Sequence, residues 1–165
     1  MARRRSRLRF PSKKNVDMFS LFRKKESSYP NNSKWSILKG SNQDKVMIVR
    51  RNDSAKQLTG HPEYIYRAGF AIPLLNPTSD GLPTNEETTI LNLIEDELSL
   101  NMEANQDGLL TLVITTSGFR EFVFYTRKPN DMQSIALSLS SKFAPHKVQS
   151  YVSEDKKWDV YRQYS

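Results

Sequence analysis

LLTLVITTSGFREFVFY, residues 109–125, decides the architecture. Two runs rich in β-branched and aromatic residues, Leu109 to Thr115 and Phe119 to Tyr125, flank Thr116-Ser117-Gly118, a short loop with glycine where a hairpin needs it. Helices are predicted on both sides of this hairpin. Upstream, Thr84 with Glu87 three positions on fits a capping box, and Glu86 and Glu87 suit the positive end of a helix dipole. Ile90, Leu91, Ile94 and Leu98 then give the stripe of a helix lying on a sheet, with Glu95, Asp96 and Glu97 turned outward and an end near Met102 to Asn105. Downstream, Asn130 with Gln133 predicts a second capping box, and Met132, Ile135, Ala136, Leu139 and Phe143 form a second stripe that Pro145 stops.

Further out, Lys147 to Ser153 alternates Val148, Ser150 and Val152 with Gln149, Tyr151 and Ser153, the period of a strand with one buried face. Tyr64 to Leu74 reads as a strand with Pro73 at its end, since proline cannot donate to a ladder. It leads into the turn formers NPTSDGLP, residues 76–83. Trp35 to Leu38 and Lys45 to Arg50, joined through Gly40 to Asp44, read as a first hairpin, and Asn52 to Pro62 as an irregular connection. The expected class is α+β. From Tyr64 onward the order βαββαβ is the ferredoxin-like split βαβ plan, an antiparallel sheet with two helices on one face, preceded here by an extra N-terminal β-hairpin.

Charge divides the chain differently. Residues 1–25 hold ten Lys and Arg, among them Arg3, Arg4, Arg5, Arg7, Arg9, Lys13 and Lys14, against Asp17 alone, a net of +9. The remaining 140 residues carry fifteen basic and seventeen acidic groups, a net of −2, so the pI near 9.6 describes an arm and not a fold. Residues 1–33 are therefore expected to be a flexible basic arm and linker, able to attract polyanions without selectivity, and residues 34–165 a single α+β domain. Met18-Phe19-Ser20-Leu21-Phe22 is a plausible bacterial start in its own right, which leaves residues 1–17 open as an over-called extension. Pro11 to Lys14 interrupt what would be the apolar region of a signal peptide, and no apolar run nears the ~18 residues of a membrane span. A cytoplasmic protein without membrane insertion is expected. The chain has no Cys, which excludes disulfides, thiolate metal sites and cysteine nucleophiles.

The segment Tyr64 to Leu74, then Asp80-Gly81-Leu82-Pro83 with Glu86-Glu87, Leu91, Ile94-Glu95-Asp96, the hairpin Gly118-Phe119-Arg120-Glu121-Phe122 and Trp158-Asp159-Val160-Tyr161 resemble a bacterial family, domain of unknown function 695, over about Lys34 to Tyr164. The resemblance implies a ferredoxin-like α+β fold and no established activity. A more distant likeness is to the regulator of ribonuclease E activity B, a family that binds and inhibits a protein.

Candidate chemistry is sparse. His61 and His146, each beside a proline, have no ligand partner at helical or turn spacing, and no Gly-x-Ser-x-Gly elbow or phosphate-binding glycine loop is present. Consecutive helix residues point about 100° apart, so Glu95-Asp96-Glu97 reads as a charged face. Phe70, Phe119, Phe122, Phe124, Tyr125 and Tyr151 raise an RNA-binding sheet, but the surrounding charge has the wrong sign and core packing is the better reading. No catalytic set, metal or cofactor is expected. Trp158 and Tyr161 at i, i+3 share one face of a short helical turn, either capping the core or, with Arg162, offering an aromatic anchor to a protein partner. The expected function is a non-catalytic protein-binding or regulatory module, an immunity or inhibitor protein being one narrower form. The alternatives are a nucleic-acid-associated protein using the arm, and an enzyme of unfamiliar type with His61 or His146 beside acids in a pocket.

Overall fold

A computed structural model describes residues 29–165. Strands β1 (Trp35–Asn42), β2 (Lys45–Asn52), β3 (Tyr66–Pro73), β4 (Gly108–Thr116), β5 (Phe119–Thr126) and β6 (Gln149–Glu154) form one antiparallel sheet in the order β1-β2-β4-β5-β3-β6. Helix α1 (Asn85–Met102) joins β3 to β4, α2 (Met132–Lys142) joins β5 to β6, and the short α3 (Asp159–Arg162) follows β6. The class is α+β, as the patterning predicts.

Two apolar layers hold the sheet. On one face Ala68, Phe70, Ile72, Phe122 and Phe124 pack against Leu91, Ile94 and Leu98 of α1 and Ala136 and Leu139 of α2. On the other, Val49, Leu112, Ile114, Val123 and Tyr125 pack under Leu58, Tyr64, Trp158 and Tyr161. A β-bulge in β4 serves both layers. It falls between Leu110 and Leu112, so Leu110 and Val113 share the helix side although three positions apart. The extra residue, Thr111, is buried, and its hydroxyl donates to the Val123 carbonyl at 2.9 Å.

Several local expectations are corrected. The first hairpin turns at Gln43-Asp44 and not over Gly40 to Asp44, because both residues accept the positive φ (48° and 64°) that a two-residue hairpin turn requires. Ile90 is 37 % exposed; the inward stripe of α1 is Glu87, Leu91, Ile94, Leu98 and Met102. Thr84 does cap α1, its hydroxyl accepting from Glu87 N–H at 3.2 Å. The second capping box does not form: Asp131, in a left-handed conformation at φ 65°, precedes α2 and makes no side-chain cap. Strand β6 begins at Gln149 and lies at the sheet edge, which leaves Val152 40 % exposed. The connection after β2 holds a 3-10 turn, Asp53–Leu58, capped by Asn52, whose amide also donates to the Leu110 carbonyl at 3.0 Å.

Of the six sheet aromatics, Phe70, Phe122, Phe124 and Tyr125 are fully buried, as core packing predicts. Tyr151 lies across Gly69, where an added Cβ would meet its ring at 2.1 Å, and its hydroxyl donates to Glu121. The phenols of Tyr29, Tyr64, Tyr125, Tyr151, Tyr161 and Tyr164 are all pushed above the usual tyrosine range, chiefly by burial. A folded-state value above the unfolded one means stability fully present below pH ~10 and lost as pH rises past it, because the unfolded chain ionises first. The urea midpoint is therefore expected to hold to about pH 9 and fall beyond about pH 10, with the absorbance of the buried Tyr64, Tyr125 and Tyr161 tyrosinates appearing together with unfolding. Ionisation of Tyr64, Tyr125 or Tyr161, each 3 % exposed or less, in the still-folded protein at about pH 10 would contradict this burial.

Candidate functional site

The aromatic pair marked in the sequence turns inward. The helical turn does not include Trp158, which precedes α3 in a left-handed conformation at φ 59°; it meets Tyr161 edge to face at 5.7 Å, and the two are 0 % and 3 % exposed. Trp158 stacks on Tyr125 with ring centroids 3.9 Å apart, and its indole N–H donates to the Tyr64 carbonyl at 2.8 Å. The Tyr161 hydroxyl donates to the Asn52 carbonyl at 2.8 Å. Asp155 fixes the turn by accepting from the Tyr125 hydroxyl at 2.7 Å and from the N–H groups of Asp159 and Val160. Neither ring offers a surface to a partner in this conformation, and only Arg162 of the three is exposed. The arm residues Arg3, Arg4, Arg5, Arg7, Arg9, Lys13 and Lys14 lie outside the described residues.

The histidines separate. His61 sits edge-on to Tyr64 at 5.3 Å, its Nδ1 accepting from Glu63 N–H. His146 does meet an acid, with Nε2 3.0 Å from Glu87 Oε1, but both side chains are buried. The same carboxylate accepts from Leu75 N–H at 2.6 Å and Asn76 N–H at 3.4 Å, so it joins the loop after β3, the first turn of α1 and the residues after α2. Among the described residues no three His, Asp or Glu side chains gather as metal ligands, and no helix is long and apolar enough to cross a membrane.

A charged cleft lies where the first hairpin carries the sheet past α1. Ile48 and Arg50 of β2, Val113 and Thr115 of β4, Arg120 of β5 and Thr88 of α1 line it, and Leu82 and Pro83 close it, around about 210 Å³. The loop wall is set by the backbone. Gly81 adopts φ +77°, its carbonyl accepts from Gly118 N–H at 3.0 Å, and an added Cβ would come within 3.0 Å of that nitrogen. The Asp80 to Pro83 turn is thereby docked on the β4–β5 turn, and this brings Leu82 and Pro83 over Arg120.

Two guanidinium groups meet here in unlike states. Arg50 forms a bidentate pair with Glu95 at 2.8 and 3.1 Å and lies 5.0 Å from the Trp35 ring centroid, so its charge is matched. Arg120 donates from Nε to Thr115 Oγ1 at 2.9 Å, and makes no ion pair among the described residues. Burial draws its guanidinium below the usual range; Glu95 and Glu87 oppose that and Arg50 adds to it. It remains a cation in a partly desolvated hollow, held at one nitrogen and making no other side-chain hydrogen bond among the described residues. Of the larger grooves, those of about 500 and 550 Å³ beside β6 and at the end of α1 have no cation in their walls, and those of about 420 and 330 Å³ hold Lys34 and the Asp107-paired Lys128.

Sequence reading passed over Arg120 as an isolated site, although β5 alternation puts it on the side of Phe122 and Phe124. A charge at an inward position of a strand was the available signal. The residues that meet at this cleft, Leu82, Pro83, Glu95 and Arg120, fall in segments that carry the family resemblance. The profile of a family of unknown function (DUF695) matches residues 33–164. The chain belongs to that family. No curated protein and no solved structure matches it significantly. For this family member the fold positions a cation, two threonine hydroxyls and an apolar wall at one corner of the sheet.

Proposed function

We propose that this protein is a non-catalytic binding module acting on another protein, and that the Arg120 cleft receives an anionic group from that partner. The observation that carries the reading is the guanidinium of Arg120, which forms no ion pair among the described residues, in a partly buried cavity with its Nε fixed on Thr115. A desolvated cation without a carboxylate partner costs stability, and a binding site is a reason to retain it. The lining residues supply hydrogen-bond donors and apolar surface, which suits holding a group more than transforming it. We read β3 to β6, with α1 and α2 between them, as the ferredoxin-like split βαβ plan, and residues 34–165 as one domain. Support comes from β5 lying between β3 and β4, and β3 lying between β5 and β6. The first hairpin then has a role, since β2 supplies one wall of the cleft.

Arg120→Met keeps the aliphatic stem and removes the charge. Captured side by side from the native host, a stoichiometric partner of the full chain is expected to fall at least ~10-fold on this variant, the loss of one charge-assisted hydrogen-bonding group. Equal recovery on both proteins, with thermal unfolding of the variant intact, would sink the reading.

The basic arm favours a second reading, nucleic-acid association, on the +9 of residues 1–25. It requires binding that weakens steeply with salt and vanishes when residues 1–17 are removed.

A further inference from the structure

We infer that the Arg120 cleft is a carboxylate site, taking one carboxylate on a short apolar body in preference to phosphate. This rests on the binding reading above and narrows its ligand. Charge decides between the anions. Glu95 already matches Arg50 through two hydrogen bonds, so the hollow presents the single cation of Arg120. The planar guanidinium fork pairs with a carboxylate charge for charge. A phosphate monoester carries about −1.5 to −2 near neutral pH. It would leave about half to one negative charge unmatched near Glu95 and Glu87, which both act on Arg120, in a hollow where an unpaired charge is penalised. Shape agrees with charge. Ile48, Leu82, Pro83 and Val113 give the wall its apolar part, beside the Thr88 and Thr115 hydroxyls, and about 210 Å³ falls below the ~300–1,000 Å³ of sites for drug-sized ligands, so only a few carbons fit behind the carboxylate. Two sources supply this chemistry: a free short-chain acid, or the terminal carboxylate of a protein partner ending in a small apolar residue.

The test titrates the full chain with sodium isovalerate, a short peptide ending in valine with a free carboxylate, the same peptide amidated, and inorganic phosphate. Binding is followed by calorimetry and by the NMR signal of the Arg120 Nε–H. Saturable binding of isovalerate or of the free-ended peptide is expected, weakened at least ~10-fold in Arg120→Met, with the amidated peptide silent. Isovalerate equal to the peptide identifies a free acid as the source; a peptide bound ~10-fold tighter identifies a chain end. Glu95→Gln releases the charge of Arg50, and is expected to raise phosphate affinity ~10-fold relative to carboxylate. Ile48→Trp, which narrows the hollow and leaves Arg120 in place, is expected to reproduce the loss and serves should Arg120→Met not fold. Phosphate binding that depends on Arg120, without carboxylate binding, overturns the carboxylate inference and leaves the cleft as an anion site. Probes that bind Arg120→Met and Ile48→Trp as they bind the parent, or that bind none of the three, overturn the carboxylate inference, while equal partner capture by the parent and Arg120→Met is what overturns the binding reading.

Discussion

Trp158→Ala is expected to lower the free energy of unfolding by about 3–5 kcal/mol, the range for truncating a large buried aromatic side chain. Three separate losses add to that figure. The ring is fully buried, so its removal leaves a cavity between Tyr125, Tyr64 and Tyr161. Stacking on Tyr125 at 3.9 Å and the edge contact with Tyr161 at 5.7 Å disappear with it. The Tyr64 carbonyl loses its indole donor, and a buried acceptor left without a partner costs about 1–3 kcal/mol. Alanine brings no compensation in the backbone, because Trp158 stands at φ 59°, a conformation glycine favours and alanine does not. Against a typical total of about 5–15 kcal/mol this is a large fraction, equivalent to a fall in Tm of roughly 10 °C or more. Trp158→Phe, which retains an aromatic face and loses only the N–H and some volume, is expected to fall between the two. Urea unfolding of the three proteins measures the series, and a loss below about 1 kcal/mol for the alanine variant would mean that the ring does not fill this core.

That result bears on what was legible in the sequence. The β4–β5 hairpin was readable from its β-branched and aromatic runs around Ser117-Gly118, the α2 stripe from its period, and the closeness of Trp158 and Tyr161 from their spacing. Which way that pair turns was not, because α3 is four residues long and its direction is set by Asp155 accepting three hydrogen bonds across a turn. The bulge at Thr111 was equally hidden, since an unbroken apolar run such as Leu109 to Ile114 has no alternation from which to detect a slip. The cleft eluded reading for a different reason. Its residues come from β2, β4, β5, α1 and the Asp80 to Pro83 turn, and no spacing in the chain announces that Arg50 pairs with Glu95 forty-five positions away. Charges standing in inward registers were the one local sign, and Arg120 and Glu87 both carry it. For Glu87 the capping box gave a ready explanation of the acid that concealed its larger role.

Glu87→Ala is the second substitution with a large expected effect, about 2–4 kcal/mol, since each buried donor left without its acceptor costs about 1–3 kcal/mol. The carboxylate is 5 % exposed and accepts from Leu75 N–H, Asn76 N–H and the His146 ring. Alanine leaves a buried imidazole and the N–H groups of Leu75 and Asn76 without this acceptor, while the Thr84 cap survives because it uses the Glu87 main chain. Glu87→Gln keeps one acceptor oxygen and the shape, and is expected to cost about half as much, since hydrogen bonds to charged groups are worth about 1.5–3 kcal/mol and neutral ones less. A double-mutant cycle with His146→Ala should return a coupling of at least ~1 kcal/mol; strictly additive losses would show that the two side chains do not act as a pair. The consequence reaches the cleft. Glu87 anchors the start of the loop that runs to Leu82 and Pro83, so its loss frees the apolar wall while Arg120 and Thr115 stay on the sheet. Glu87→Ala is therefore expected to weaken ligand binding at Arg120 in protein that is still folded, and Glu87→Gln to preserve it. Equal binding by the two would mean that the Asp80 to Pro83 turn is held by its contacts with the β4–β5 hairpin alone.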